Sequence, residues 1–247
     1  MPAGAVDGSV HGAYVLIPHP SEIAQSAILG TMVVLNFHCI GKPTRPLAHG
    51  EEGVCLDSAQ FDEILDAVSD RPDVELTFDD GNSSDVSQAL PGLVRYGLEA
   101  QFFICPARFG IAGFVDEDDV RNLSAAGMSL GSHGMDHVPW RRLEGSAVDR
   151  EIVQAKRLLE DALQAPIDTA SCPFGAYDRR TLQALRAAGF RRVYTSDGGR
   201  AAANGWVVAR NTVRRQDSAE SIVRMLDDLG QTISVVHRAK RWVKRRR

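Results

Sequence analysis

One alternation limits the fold more than any other feature of this chain. From residue 32 to residue 229, short β-branched or aromatic runs take turns with longer segments of helical period. Seven runs read as strands: Met32–Phe37, Val74–Phe78, Ala100–Cys105, Met128–Ser132, Asp168–Ser171, Arg192–Thr195 and Trp206–Ala209. Six segments read as helices: Ser58–Ser69, Ser84–Tyr96, Glu117–Ala126, Ser146–Leu163, Arg179–Ala188 and Ser218–Leu229. Most of them open on Ser, Asp or Glu, whose oxygens satisfy the free amides of a first turn. Strands separated by helices pair in parallel through crossovers, which predicts a distorted (β/α) barrel of about seven strands. A doubly wound open sheet has the same order of elements and stays open at this level. In both, chemistry belongs on the loops that follow the strands.

Residues 1–31 are rich in Gly, Ala and Ser and keep no period, so they read as an N-terminal extension. Residues 32–230 read as one folded domain, which 247 residues at 44% apolar and 24% charged can support. No apolar run approaches the ~18 residues that cross a bilayer, and the N-terminus lacks the basic and apolar regions of an export signal. The expectation is a cytoplasmic protein. Cys39, Cys55, Cys105 and Cys172 lie far apart without a C-x-x-C pair, so they read as reduced thiols rather than a disulfide framework or a zinc ribbon. Residues 231–247 form a basic tail with seven Lys or Arg from Arg238 onward, beside Trp242 and Val243. The whole chain carries −4, which leaves −11 for residues 1–237. Such a tail suits an anionic membrane surface and would hold the domain at an inner membrane face; a solvated end is the plainer reading. Nucleic acid is not expected, because the acidic remainder repels phosphate.

Three strand ends carry the chemistry. Thr77-Phe78-Asp79-Asp80-Gly81 sets two adjacent carboxylates before a Gly turn; by itself Asp80-Gly81-Asn82-Ser83 is also ordinary helix-entry sequence. His133 and His137 stand four residues apart, which on a helical turn puts both rings within reach of one ion, although such pairs also occur solvated. Two His and one carboxylate leave a coordination position open, as catalytic zinc sites require. Ser171-Cys172-Pro173-Phe174-Gly175 follows a third strand and by itself is a Pro-Gly turn. Free Cys most often packs as a small hydrophobe, so Cys39 and Cys172 are not counted as ligands.

In these residues the chain resembles the NodB-type polysaccharide deacetylases (carbohydrate esterase family 4) over roughly residues 32–229. The family motif T-F-D-D-G is present at Thr77–Gly81, and the resemblance implies Asp79 as general base and Asp80 as metal ligand. The motif H-[ST]-x-x-H is matched at His133 and His137, the implied second and third ligands, with Gly134 in place of the Ser or Thr that stabilises that loop. The motif R-x-P-[FY]-G is matched at Pro173, Phe174 and Gly175, with Ser171 where the Arg that orients the base would stand. The resemblance implies removal of N-acetyl or O-acetyl groups from a glycan or glycan precursor, a divalent ion (Zn²⁺ before Co²⁺ or Ni²⁺), and substrate and oxyanion contacts at Pro173 and the Phe174 amide. The family's Asp-tuned His general acid is matched only by Asp197 and the late His237, which also begins the basic tail. His38, ending the first strand, resembles a structural His beside the site. A non-catalytic glycan-binding relative and an amidohydrolase on a small amide are the alternatives.

Overall fold

The computed structural model describes residues 30–231. All seven runs form strands: β1 (Thr31–Phe37), β4 (Val74–Phe78), β5 (Ala100–Ile104), β6 (Ser129–Ser132), β7 (Thr169–Ser171), β8 (Arg192–Thr195) and β10 (Val207–Ala209). Four more strands of two or three residues, β2 (Cys39–Ile40), β3 (Cys55–Leu56), β9 (Arg200–Ala202) and β11 (Asn211–Thr212), are too short to show an alternation in sequence. The helices are α1 (Ser58–Val68), α2 (a π stretch Asp85–Ala89 running into Leu90–Tyr96), α3 (Glu117–Ala125), α4 (Ser146–Val148, a π stretch Asp149–Gln154, then Ala155–Leu163), α5 (Arg179–Ala187) and α6 (Ala219–Gln231). The π stretches were not expected. Each carries one buried acid, Asp85 or Glu151, and the widened turn sets that carboxyl on the inner side of its helix.

The main sheet runs β10-β8-β7-β6-β5-β4-β1-β11 in parallel, with β9 antiparallel on β1. Its two ends, β10 and β11, are separated in the chain by Arg210 alone, so the backbone itself spans the gap and the barrel is nearly closed. Alternation along the strands divides the side chains. Val33, Leu35, Phe37, Leu76 and Phe78 face the helices, where Phe78 stacks between Phe37 (centroids 5.2 Å) and Phe102 (4.6 Å). Burying each such ring contributes about 1.5–3 kcal/mol. A separate inner cluster joins Val34, Phe103, Tyr194, Ala201 and Val208. By the same alternation Asn36, Thr77 and Asp79 face inward, where they bond to one another.

One expectation is corrected. Cys39 and Cys55 are joined in a disulfide, and only Cys105 and Cys172 are free thiols. Their spacing hid the pair because it arises from β2 lying parallel to β3 with Cys39 opposite Cys55, Cα atoms 4.5 Å apart. The bridge closes the polar loop 41–53. The basic tail, with His237, and all but the last two residues of the expected extension 1–31 lie outside the described residues.

Candidate active site

Strand alternation sends Asp79 into the barrel and would send Asp80 away from it. Instead Asp80 adopts a left-handed backbone (φ 82°), which turns the second carboxylate toward the same mouth. His137 (φ 57°) and Phe174 (φ 57°) are also left-handed, so three of the five non-glycine residues of positive φ among the described residues lie in this one place. Strain of about 1–3 kcal/mol at each persists only where the surroundings fix it.

Here they do. Asp80, His133 and His137 bring one ligand atom each to within 4.8 Å of one another. His137 Nε2 lies 3.0 Å and His133 Nε2 3.6 Å from Asp80 Oδ1. His133 Nδ1 is 2.9 Å from the Ser171 carbonyl, which can only accept, so Nδ1 carries the proton and Nε2 presents its lone pair to the cluster. Burial lowers the pKa of His133 to about 4, against the pull of Asp79, so the ring is neutral at pH 7. One carboxylate and two imidazoles, one of them held neutral, are a fitting donor set for a divalent ion.

The loop that carries the two imidazoles hangs on Glu151. Its carboxylate accepts from the Met135 amide (3.1 Å), the Asp136 amide (3.1 Å) and Trp140 Nε1 (3.4 Å). This explains Gly134. Its φ is +82°, and a Cβ there would lie 2.5 Å from Glu151 Oε2 and 3.0 Å from Trp140 Nε1, so the carboxylate occupies the space of a Ser or Thr and takes over its role.

Asp79 has different neighbours. Arg210, at the barrel seam and 1% exposed, donates from Nη1 to Asp79 Oδ1 (2.8 Å) and from Nη2 to Oδ2 (2.6 Å). The same guanidinium reaches Asn36 Oδ1 (2.7 Å) and Ser171 Oγ (2.6 Å), and Asn36 Nδ2 donates to Asp79 Oδ2 (3.1 Å). Ser171 thus stands where an Arg was expected, and Arg210, at the seam between β10 and β11, fills the role by bonding Asp79 directly while it also reaches Ser171. Burial is the largest single influence on Asp79 and raises its pKa, but the charge and hydrogen bonds of Arg210, with the nearby His133 and His38, together outweigh it and hold the carboxyl ionised. The sequence held one cue to Arg210: it directly follows a strand run, as Asp79 and His133 do.

The remaining candidates fall around this pair. Phe174 is exposed, with its ring 4.5 Å from His137, and Pro173 is buried beneath it. Asp197 accepts from Tyr177 Oη (2.6 Å) and Thr195 Oγ1 (3.1 Å). Cys172 is in the core, and neither it nor His38 belongs to the ligand cluster. His38 instead offers its carbonyl to Asn82 Nδ2 (3.4 Å). Loop 41–53 reaches the rim through Arg45, which pairs with Glu51 (2.8 Å), donates to Asn82 Oδ1 (2.9 Å) and covers the Phe114 ring (4.4 Å). Arg108 covers that ring as well (4.5 Å) and donates to the Asp80 carbonyl (3.2 Å), fixing its turned backbone.

Fold and site together define a (β/α) barrel with a carboxylate–imidazole centre at the strand ends. Residues 66–193 match the model of the polysaccharide deacetylase family, and the chain belongs to that family. It is 29% identical over 144 residues to a chitooligosaccharide deacetylase of Rhizobium leguminosarum bv. trifolii, covering 57% of this chain and 63% of that protein. With YxkH of Bacillus subtilis (strain 168), assigned by name to the same family, it shares 28% identity over 141 residues, 57% of this chain and 50% of YxkH. The matches thus span about half to two thirds of these relatives. Among solved structures, the Streptococcus pyogenes deacetylase PplD, in complex with acetate, superposes with a TM-score of 0.71 at 20% identity, covering 79% of this chain and 98% of that one. IcaB from Ammonifex degensii gives 0.64 at 19% identity over 80% and 97%. Both likenesses concern the fold.

Proposed function

We propose that the protein hydrolyses N-acetyl groups, or O-acetyl groups, on a glycan, with a divalent ion held by Asp80, His133 and His137. The observation that carries this reading is the placement of that donor set beside an ionised Asp79 fixed by Arg210. When bound, a divalent ion, Zn²⁺ in the first instance, would supply Lewis acidity toward water and the acetyl oxygen. The chain's own residues do the rest. Asp79 Oδ2, 3.7 Å from His133 Nε2, accepts the proton of the attacking water, and Arg210 keeps the carboxylate aimed at that point. The Phe174 amide is the candidate donor to the developing oxyanion, on a backbone turned outward by its positive φ. Water oxygen joins the acetyl carbon, the C–N bond breaks, and acetate and an amine leave.

The test is acetate release from N-acetylated chito-oligomers. Chelator-stripped protein is expected to lose turnover and to regain it with stoichiometric Zn²⁺; full turnover by protein shown to be metal-free would refute the reading. Two wider expectations are carried as proposals. The basic tail would bring the domain to an anionic membrane, read by vesicle co-sedimentation with and without residues 231–247. A cytoplasmic location rests on composition, and the Cys39–Cys55 bridge is an observation in favour of an oxidising compartment.

A further inference from the structure

Residues 30–231 carry −9, yet one face gathers arginines without acid partners. Arg141 and Arg142 are exposed at the end of the loop that holds His137. Arg141 Nε donates to the carbonyl of Tyr177 (3.4 Å), two residues beyond the Pro173–Gly175 turn, so this face begins at the rim of the candidate site. The Arg142 amide donates to Asp178 Oδ2 (3.0 Å), the cap of α5, and Arg142 has a left-handed backbone (φ 67°). Arg179 opens α5, and Arg186 lies two turns further along it with its guanidinium 4.4 Å from the Trp206 ring centre. A groove of about 570 Å³ continues the face, lined by Arg179, Leu182, Gln183, Arg186, Trp206 and Val207.

Two features separate this face from an ordinary solvated one. Neighbouring Arg180 and Arg191 are paired with Glu144 (3.0 Å) and Asp168 (3.6 Å), whereas Arg141, Arg142, Arg179 and Arg186 have no carboxylate partner among the described residues. Trp206 is pinned by its Nε1 bond to the Phe190 carbonyl (2.8 Å) and holds the Arg186 guanidinium over its ring, already positioned for an anion. Unpaired arginines, a fixed guanidinium and a groove that runs along α5 from Arg179 to Arg186 together point to an anionic ligand.

We propose that Arg141, Arg142, Arg179 and Arg186 form a binding face for an anionic glycan chain, bearing carboxylate or phosphate, whose acetylated sugar is presented to the Asp80–His133–His137 centre. The proposal deepens the deacetylase reading and rests on it for the acetyl group, though not for the binding. The experiment combines Arg141→Gln, Arg142→Gln, Arg179→Gln and Arg186→Gln in the full chain. Calorimetry follows binding of two acetyl-free probes, an oligogalacturonate for carboxylate and a glycerol-phosphate-substituted oligosaccharide for phosphate. Four exposed charge contacts predict about tenfold weaker binding of at least one probe, in wild type weakened also by salt, with the four-Lys variant recovering most of it. Which probe responds identifies the anion. Turnover of neutral N-acetylated chito-oligomers is expected to stay within about twofold, since rim charges act on charged partners. Unchanged affinity for both probes, or an equal loss on neutral oligomers, would overturn the proposal. An enzyme that binds the anionic probe through these residues yet releases no acetate from any substrate would overturn the deacetylase reading and leave the face standing.

Discussion

Asp79 and Asp80 are neighbours in sequence and opposites in surroundings. Asp79 lies on the seam side of the barrel, where Arg210 grips both of its oxygens and Asn36 and Ser171 complete the shell. Asp80 lies on the β6 side, buried and facing two imidazoles, with the largely covered Arg108 at 3.6 Å. Both are held ionised, but by different partners: a fixed guanidinium for one, chiefly His137 for the other. A carboxylate with a permanent cation can stay charged without a metal and handle a proton; one facing two imidazole nitrogens is completed by a cation. Adjacent identical residues are thus separated in role by what the fold puts around them.

The largest effect that could break this comparison comes from Arg210→Met. It leaves a buried carboxylate unpaired, and about 3–5 kcal/mol of stability should be lost, visible as a lowered Tm, with acetate release falling at least about a hundredfold. Arg210→Lys should recover only part, because one ammonium cannot bond both oxygens at once. A normal Tm and rate in Arg210→Met would dissolve the distinction between the two sides.

On the Asp80 side, the rim loop is the next handle. Cys39→Ser with Cys55→Ser should cost about 2–4 kcal/mol in Tm measurements by freeing the loop whose Arg45 reaches Asn82. Thiol titration of unfolded, unreduced wild type should count two, Cys105 and Cys172; a count of four would remove the bridge.

The two sides also titrate apart. His133 has a folded pKa of about 4, below its unfolded value near 6.5, so the unfolded chain binds more protons between those values. The stability this His contributes is fully present above about pH 6.5 and is lost as pH falls toward about 4. The Asp79 and Asp80 contributions, from lowered pKa values, fade only below about pH 4. Metal-free protein should therefore lose Tm in two stages on acidification, and His133→Gln should remove the first.

What was legible in the sequence follows the range of each contact. Asp79, Asp80, His133 and His137 could be read because each motif is local, two carboxylates at one strand end and two imidazoles one turn apart. Arg210 meets Asp79 across 131 residues, in a contact created by closure of the barrel at the seam, and no local pattern encodes that. The disulfide was misread for a similar reason, since β2 and β3 have two residues each and pair only after loop 41–53 has folded back. Glu151 looked like any helix acid until the π stretch turned it inward.

The smallest of these effects tests that last residue. Gly134→Ser restores the family's letter and should still destabilise by about 1–3 kcal/mol, because the backbone is left-handed and Glu151 fills the space. Stabilisation by Ser would show that Glu151 does not replace it.

The most direct measurement of the central claim is zinc affinity, by competition with a chromogenic chelator, for Asp79→Asn beside Asp80→Asn. Asp79→Asn should bind one equivalent within about tenfold of the wild-type Kd while releasing almost no acetate, because a base is lost and no ligand. Asp80→Asn should lose at least about a hundredfold in affinity, as a site reduced to two imidazoles holds zinc poorly. Equal losses of zinc in the two variants, or a loss confined to Asp79→Asn, would contradict the division of roles between these neighbours.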